Sequence, residues 1–347
     1  MLSHMGAAFF RIRKRMKWIG YTVAILLFIV SALAFLYCAV KVYVYQQPIH
    51  QPAVSSEKEK YHFVLVPEEL DNDYWRLVEK GAKAAAKETD IILEYVGPKQ
   101  ANIEEHINII EKAAASKVDG IMTQGLNEEQ FTPIINEIVE NNIPVITVDT
   151  DAPNSKRTAY IGTDNYYAGF IAGRALAEDT GGKANVAIIT GSFAASHQQL
   201  RVQGFKDAVK KEKGIRVIAI EESNITRVQA AEKADKILKE HPEVNAFYGT
   251  SALDAIGIAK VIEQFHLEDE TYIIGFDTLP ETIDYMKKGT IEATVVQEPY
   301  EMGYRAVKMM VDLLEGKQVS SLNNTATKVI HKNDLPLRPA RNYEVEP

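Results

Sequence analysis

Whatever chemistry this chain performs rests on dispersed polar and aromatic side chains, because no compact catalytic motif is present. The sequence lacks G-x-S-x-G, a G-x-x-x-x-G-K-[ST] phosphate loop, G-x-G-x-x-G and H-E-x-x-H. None of the 8 His stands three or four residues from another. A single Cys, Cys38, excludes a Cys-ligated zinc site. Asp149-Thr150-Asp151 sets two carboxylates two residues apart and is read as loop rather than as a hard-cation site. What recurs is a polar or aromatic residue at the end of a short apolar run. Glu68, Asn72, Tyr74 and Trp75 follow one such run, and Asp149 and Thr150 follow another. Ser192, His197 and Gln199 follow a third, and Thr250 and Ser251 a fourth; Phe276-Asp277 and Gln297 end two more. Carboxylates and amides hydrogen-bond vicinal hydroxyls, and aromatic faces pack on the C–H face of a sugar ring. The set therefore suits a polyhydroxylated small molecule.

The elements that must carry these residues are short strands alternating with amphipathic helices. Runs such as His62–Pro67, Gly120–Thr123, Pro144–Asp149, Ala184–Thr190, Ala246–Gly249 and Tyr272–Phe276 are separated by helical patterns such as Tyr74–Glu88, Gln199–Lys211 and Tyr300–Leu314. That alternation predicts βαβ units, parallel sheets covered on both faces, and a ligand site at the carboxyl ends of the strands. Ile225, two residues beyond Ser223, lies in a region that can touch a ligand and is read as packing. With 347 residues, 46% hydrophobic and 25% charged, the chain is neither disordered nor fibrous. A net charge of −8, with basic residues concentrated only at the extreme N-terminus, argues against a nucleic-acid partner. The length suits two lobes of roughly 140–150 residues each, both large enough for a core.

Residues 18–40 hold no charged side chain, with Arg11, Arg13, Lys14, Arg15 and Lys17 before them and Lys41 after. A run of this length predicts a single membrane-spanning helix, extending to residue 45 with its aromatic flank. The flanking charges put the N-terminus in the cytoplasm, residues 1–17 forming a basic cytoplasmic segment, and the rest outside. A cleaved signal peptide is the rival reading, through Ala32-Leu33-Ala34, but the apolar run continues past it. A lipid-modified Cys38 is disfavoured because Leu36 and Tyr37 precede it where small residues are needed. Residues 46–60, polar and with two Pro, read as a linker.

Several motifs in order resemble a known family. They are Asn72-Asp73-Tyr74-Trp75, Val118-Asp119-Gly120, Pro144-Val145-Ile146-Thr147-Val148-Asp149, Ile161-Gly162-Thr163-Asp164-Asn165, Gly204-Phe205 after Arg201, Gly275-Phe276-Asp277, and Gln297-Glu298-Pro299. The chain resembles the type 1 periplasmic binding proteins, which include ribose, galactose, allose and autoinducer-2 binders, and the effector core of lactose-repressor-type regulators. The resemblance covers residues 61 to about 335. It implies an α/β fold of two doubly wound, Rossmann-like parallel-sheet lobes joined by a three-crossing hinge. By analogy the N-terminal lobe holds residues 61–162 and 298–328, and the C-terminal lobe 163–297 and 329–347. It further implies that Asn72, Tyr74, Trp75, Asp149, Thr150, Gln199, Ser251, Phe276, Asp277 and Gln297 bind the ligand, with Arg201 supporting the cleft. Three positions depart from the sugar-binding pattern: Thr150 and Gln199 stand where Arg is frequent, and Ser251 where Asn is common.

The implied function is non-enzymatic and needs no cofactor or metal. A membrane-anchored, extracytoplasmic protein captures a sugar or polyol by hinge closure. It then serves an ABC permease or a membrane histidine kinase. A non-sugar signal such as an autoinducer-like molecule is the alternative ligand. A repressor would need a helix-turn-helix where residues 1–60 hold the apolar span and linker, and an enzyme would need the absent catalytic groups.

Overall fold

The computed structural model describes residues 26, 28–41 and 60–335. Residues 28–41 are helical (α1), and the chain from Lys60 onward forms a separate compact unit. Among the described residues no helix is long and apolar enough to cross a membrane. Most of the expected span's first half, the basic N-terminus, residues 46–59 of the linker and the tail from residue 336 lie outside the described residues.

The compact unit is a two-lobed α/β structure with an inter-lobe hinge. Its first sheet contains β1 (His62–Val66), β2 (Ile92–Tyr95), β3 (Gly120–Thr123), β4 (Val145–Val148), β5 (Ala159–Gly162) and β11 (Leu322–Asn324), in the order β2-β1-β3-β4-β5-β11. Its second contains β6 (Lys183–Thr190), β7 (Gly214–Glu222), β8 (Ala246–Gly249), β9 (Tyr272–Phe276), β10 (Ala293–Val296) and β12 (Lys328–His331), in the order β7-β6-β8-β9-β10-β12. The first five strands of each sheet thus repeat one doubly wound order. Each sheet reverses its winding beside its own first strand, β1 or β6, where such sheets open a crevice at their carboxyl ends. The sixth strands differ: β11 runs parallel to β5, whereas β12 runs antiparallel to β10. The chain passes between sheets after β5, after β10 and after β11.

Strand composition follows from burial. β3, β4, β8 and β10 are buried at every residue, as strands with helices on both faces must be. In the first lobe, α2 (Asp73–Thr89) and α10 (Pro299–Leu314) cover one face, and α3 (Ile103–Ala115) and α4 (Glu128–Glu140) the other. In the second, α5 (Asn165–Asp179) and α6 (Ser196–Val209) face α7 (Arg227–Glu240) and α8 (Asp254–Phe265) across the sheet, with α9 (Pro280–Lys288) beside α8. α5 and α6 approach closely enough that a Cβ on Gly169 would collide with the Arg201 carbonyl, and one on Gly204 with the Tyr166 carbonyl. Only glycine permits that approach, and it sets the depth at which α6 carries Arg201.

Candidate functional site

The carboxyl ends of both sheets meet at one buried cavity. From the first lobe it is lined by Glu68, Asn72, Tyr74, Trp75 and Asp149; from the second by His197, Gln198, Arg201, Ser251 and Asp277, with Gln297 where the chain crosses back. Its cavity volume is about 40 Å³.

Asp149 ends β4 in the left-handed region, φ 66°, its N–H donating to Ile161 O at 2.9 Å. Its Oδ1 accepts from the Tyr74 hydroxyl at 2.5 Å, and its Oδ2 from Gln124 Nε2 at 3.1 Å and Thr150 Oγ1 at 3.0 Å. The Tyr160 hydroxyl sits between Asp149 O, 2.9 Å, and Thr163 O, 2.7 Å, which ties this corner to the first hinge crossing. Asp277 ends β9 in the same conformation, and its Oδ1 accepts from Gln297 Nε2 at 3.0 Å. Burial raises the Asp277 carboxyl to about 6 against the pull of Arg201. Burial likewise lifts the Tyr74 hydroxyl well above its ordinary range, with the Asp149 charge adding to it, so Tyr74 is a donor throughout the physiological range.

Arg201 organises the second lobe's side. Its Nε donates to Asn165 Oδ1 at 2.8 Å, Nη1 to Thr250 O at 2.9 Å and Nη2 to Gln297 Oε1 at 2.8 Å. Its guanidinium carbon lies 4.1 Å from the centre of the Phe276 ring, a cation–π arrangement. Gln297 Oε1 also accepts from Thr163 Oγ1 at 2.7 Å, so two hinge crossings and α6 share one oxygen.

The lobes touch across the cleft. His197 Nδ1 lies 2.9 Å from Thr150 Oγ1, and Ser196 N–H donates to Leu126 O at 3.3 Å. Burial lowers the His197 imidazole to about 4, with Arg201 adding to the effect, so the ring is neutral. With Thr150 donating to Asp149 and Gln198 Nε2 3.1 Å from His197 Nε2, the donors and acceptors match for the Nδ1–H tautomer. A chain of bonds then runs from Gln198 through His197 and Thr150 to Asp149.

Of the residues expected at the site, Asn72, Tyr74, Trp75, Asp149, Ser251, Asp277, Gln297 and Arg201 line this cavity together. Asn72 also caps α2, its Oδ1 accepting from Tyr74 N–H at 2.9 Å while its Nδ2 donates to Glu69 Oε1 at 2.6 Å. Phe276 stands behind Arg201, fully buried, and Thr150 stands behind Asp149. Gln199 does not join them. It lies on the outer face of α6, donates from Nε2 to Phe193 O at 2.6 Å, and borders a neighbouring groove. The reason is helical phase: α6 begins at Ser196, so His197 and Gln198 share the buried face of Arg201, Gly204 and Phe205. Spacing back from Arg201 by three and four residues identifies both in the sequence. Ile225, at φ 52°, is part of the cavity wall rather than simple packing. Among the described residues no cluster of His, Cys, Asp and Glu is arranged to hold a metal; Asp151 is instead paired with Arg157.

A model of the periplasmic binding protein domain matches residues 63–318. The D-allose-binding periplasmic protein of Escherichia coli (strain K12) is 23% identical over 270 residues, 75% of this chain and 87% of that protein. GanP, described as a glucose-galactose binding protein from Geobacillus stearothermophilus, is 76% identical; its crystal structure matches with a TM-score of 0.79 over 81% of this chain and 100% of that one. The XylFII-LytSN complex contains a chain 36% identical, with a TM-score of 0.76 over 80% of this chain and 99% of that one.

Proposed function

The chain belongs to the periplasmic binding protein family, and we propose that its ligand is an uncharged hexose of the glucose–galactose kind. Its members are non-catalytic binding proteins, and this chain is a solute-binding protein that captures a sugar-like ligand between two lobes by hinge closure. The observation that carries the hexose reading is the 76% identity to GanP over the whole of that chain. Tyr74 and Trp75, edge to face with centroids 5.4 Å apart, supply the apolar wall for a ring, and Asp149, Asp277 and Gln297 the polar one.

In this reading residues 18–40 anchor the protein, with the N-terminus cytoplasmic and the binding unit outside. The charge-free run and the basic residues before it support that orientation. The closed form serves either an ABC permease or a membrane histidine kinase. The likeness to a chain solved as the XylFII-LytSN complex favours a signalling partner. The lobes then enclose the two groups of binding residues as first lobe 61–162 with 298–328, and second lobe 163–297 with 329–347.

The test is calorimetric titration of the full chain with glucose, galactose, allose, ribose, xylose and arabinose. The proposal expects the tightest binding from glucose or galactose. Tightest binding by a pentose, or no binding by any of the six, overturns it.

A further inference from the structure

The cleft is over-supplied with acceptors. Glu68, Asp149 and Asp277 line one cavity against a single guanidinium. Arg201 already spends three N–H groups on Asn165, Thr250 and Gln297 and lies over Phe276, so it is fixed toward protein acceptors. Asp149 accepts from Tyr74, Gln124 and Thr150. Glu68 is different. Among the described residues its carboxyl makes no hydrogen bond, although the side chain borders the cavity a short loop before Asn72. Ser251, 4% exposed, stands at the opposite wall, where its side chain helps hold the buried Asp254 carboxyl. Glu68 is therefore placed to be completed by something that enters.

We propose that Glu68 contacts a sugar hydroxyl directly, and that Asp149 and Asp277 on the walls beside it exclude anionic sugars such as uronates and sugar phosphates. The inference rests on the sugar-binding reading above and narrows its ligand class. A neutral sugar brings hydroxyl donors to every open acceptor. A carboxylate or phosphate replaces a donor with another acceptor and adds like charge in a poorly hydrated space. The protein registers that cost at Glu68 itself. Burial, with the Glu69 and Asp149 charges, raises its carboxyl to about 8, so Glu68 is mostly protonated at neutral pH, can donate to a sugar hydroxyl as well as accept from one, and leaves the repulsion of anions to the Asp149 and Asp277 carboxylates.

The test is competition calorimetry with the full chain, using galactose and glucose against galacturonate, glucuronate and glucose 6-phosphate. Wild type is expected to bind the anions at least about 100-fold more weakly than the parent sugar. Glu68→Leu should weaken the neutral sugar by at least about tenfold, and Glu68→Gln, which keeps shape and acceptor, should hold it within about threefold. Galacturonate or glucuronate binding within about tenfold of its neutral parent overturns the exclusion. A Glu68→Leu protein that folds and binds the neutral sugar at wild-type strength overturns the contact. If that variant does not fold, a folded Glu68→Ala that binds the neutral sugar at wild-type strength overturns it instead. Failure of wild type to bind any neutral sugar, by contrast, removes the hexose reading and this inference with it.

Discussion

Asp149 and Asp277 are the same corner built twice. Each follows the fourth strand of an identically ordered sheet, each has φ 66°, and each donates its N–H to the next strand, at Ile161 O and Val295 O. A left-handed conformation is uncommon outside glycine, though Asp tolerates it better than most. It turns the chain out of the ladder at once and leaves the carboxylate at the cavity wall. One corner belongs to each lobe, so a ligand held by both carboxylates is held only when the lobes are together.

Asp149→Ala and Asp277→Ala should each weaken sugar binding by roughly 1–3 kcal/mol, through loss of an acceptor the ligand's donors need. Titration calorimetry reads the change. A double variant that binds with native affinity would remove this pair from the site.

Gln198 and Gln199 are adjacent in sequence and opposite in role. Gln198→Ala removes the partner of His197 Nε2 and the acceptor of Thr250 Oγ1, and should weaken binding by about 1 kcal/mol or more. Gln199→Ala, on the outer face of α6, should change affinity by less than about 0.5 kcal/mol. Equal effects from the two would contradict the helical phase described for α6.

This pair also marks how much the sequence disclosed. Polar residues after buried apolar runs located Asp149, Asp277, Gln297 and Ser251 because such strands are easily recognised and their ends are where crevices open. The phase of α6 is equally legible from Arg201, Gly204 and Phe205, yet position after an apolar run and family position both point to Gln199. Glu68 was visible as a strand-end residue, but its isolation from other hydrogen-bonding groups depends on packing that sequence does not display. β11 and β12 were missed for another reason. Leu-Asn-Asn and Lys-Val-Ile-His are too short and too polar to register as strands, and each is defined by the edge it pairs with.

Arg201→Met should destabilise the protein by roughly 3 kcal/mol or more, because buried acceptors on Asn165, Thr250 and Gln297 lose their donor. Denaturant unfolding measures it. Methionine keeps the contact with Phe276, so a loss well under 1 kcal/mol would show that the hydrogen bonds contribute little.

Glu68 predicts a pH dependence with a definite sign. Its carboxyl rises from 4.5 to about 8 on folding, so across that window the folded state binds more protons than the unfolded one. Stability of the ligand-free protein from this group is therefore greatest at the acid end and declines as pH rises toward 8. Asp277 and Asp254, both raised to about 6, act in the same direction lower in the range. His197 and His106, lowered to about 4 and about 3, oppose them as pH falls below 6.5. Comparing wild type with Glu68→Gln isolates one group. The difference in melting temperature should shift in favour of the variant between pH 5 and pH 8, and a constant difference would contradict burial of an ionisable Glu68.

The central claim is capture by closure, and small-angle scattering of the full chain during titration with galactose tests it most directly. The account predicts a smaller radius of gyration at saturation, with no such change for Asp149→Ala at the same sugar concentration. An unchanged radius while calorimetry reports a saturated site would contradict it.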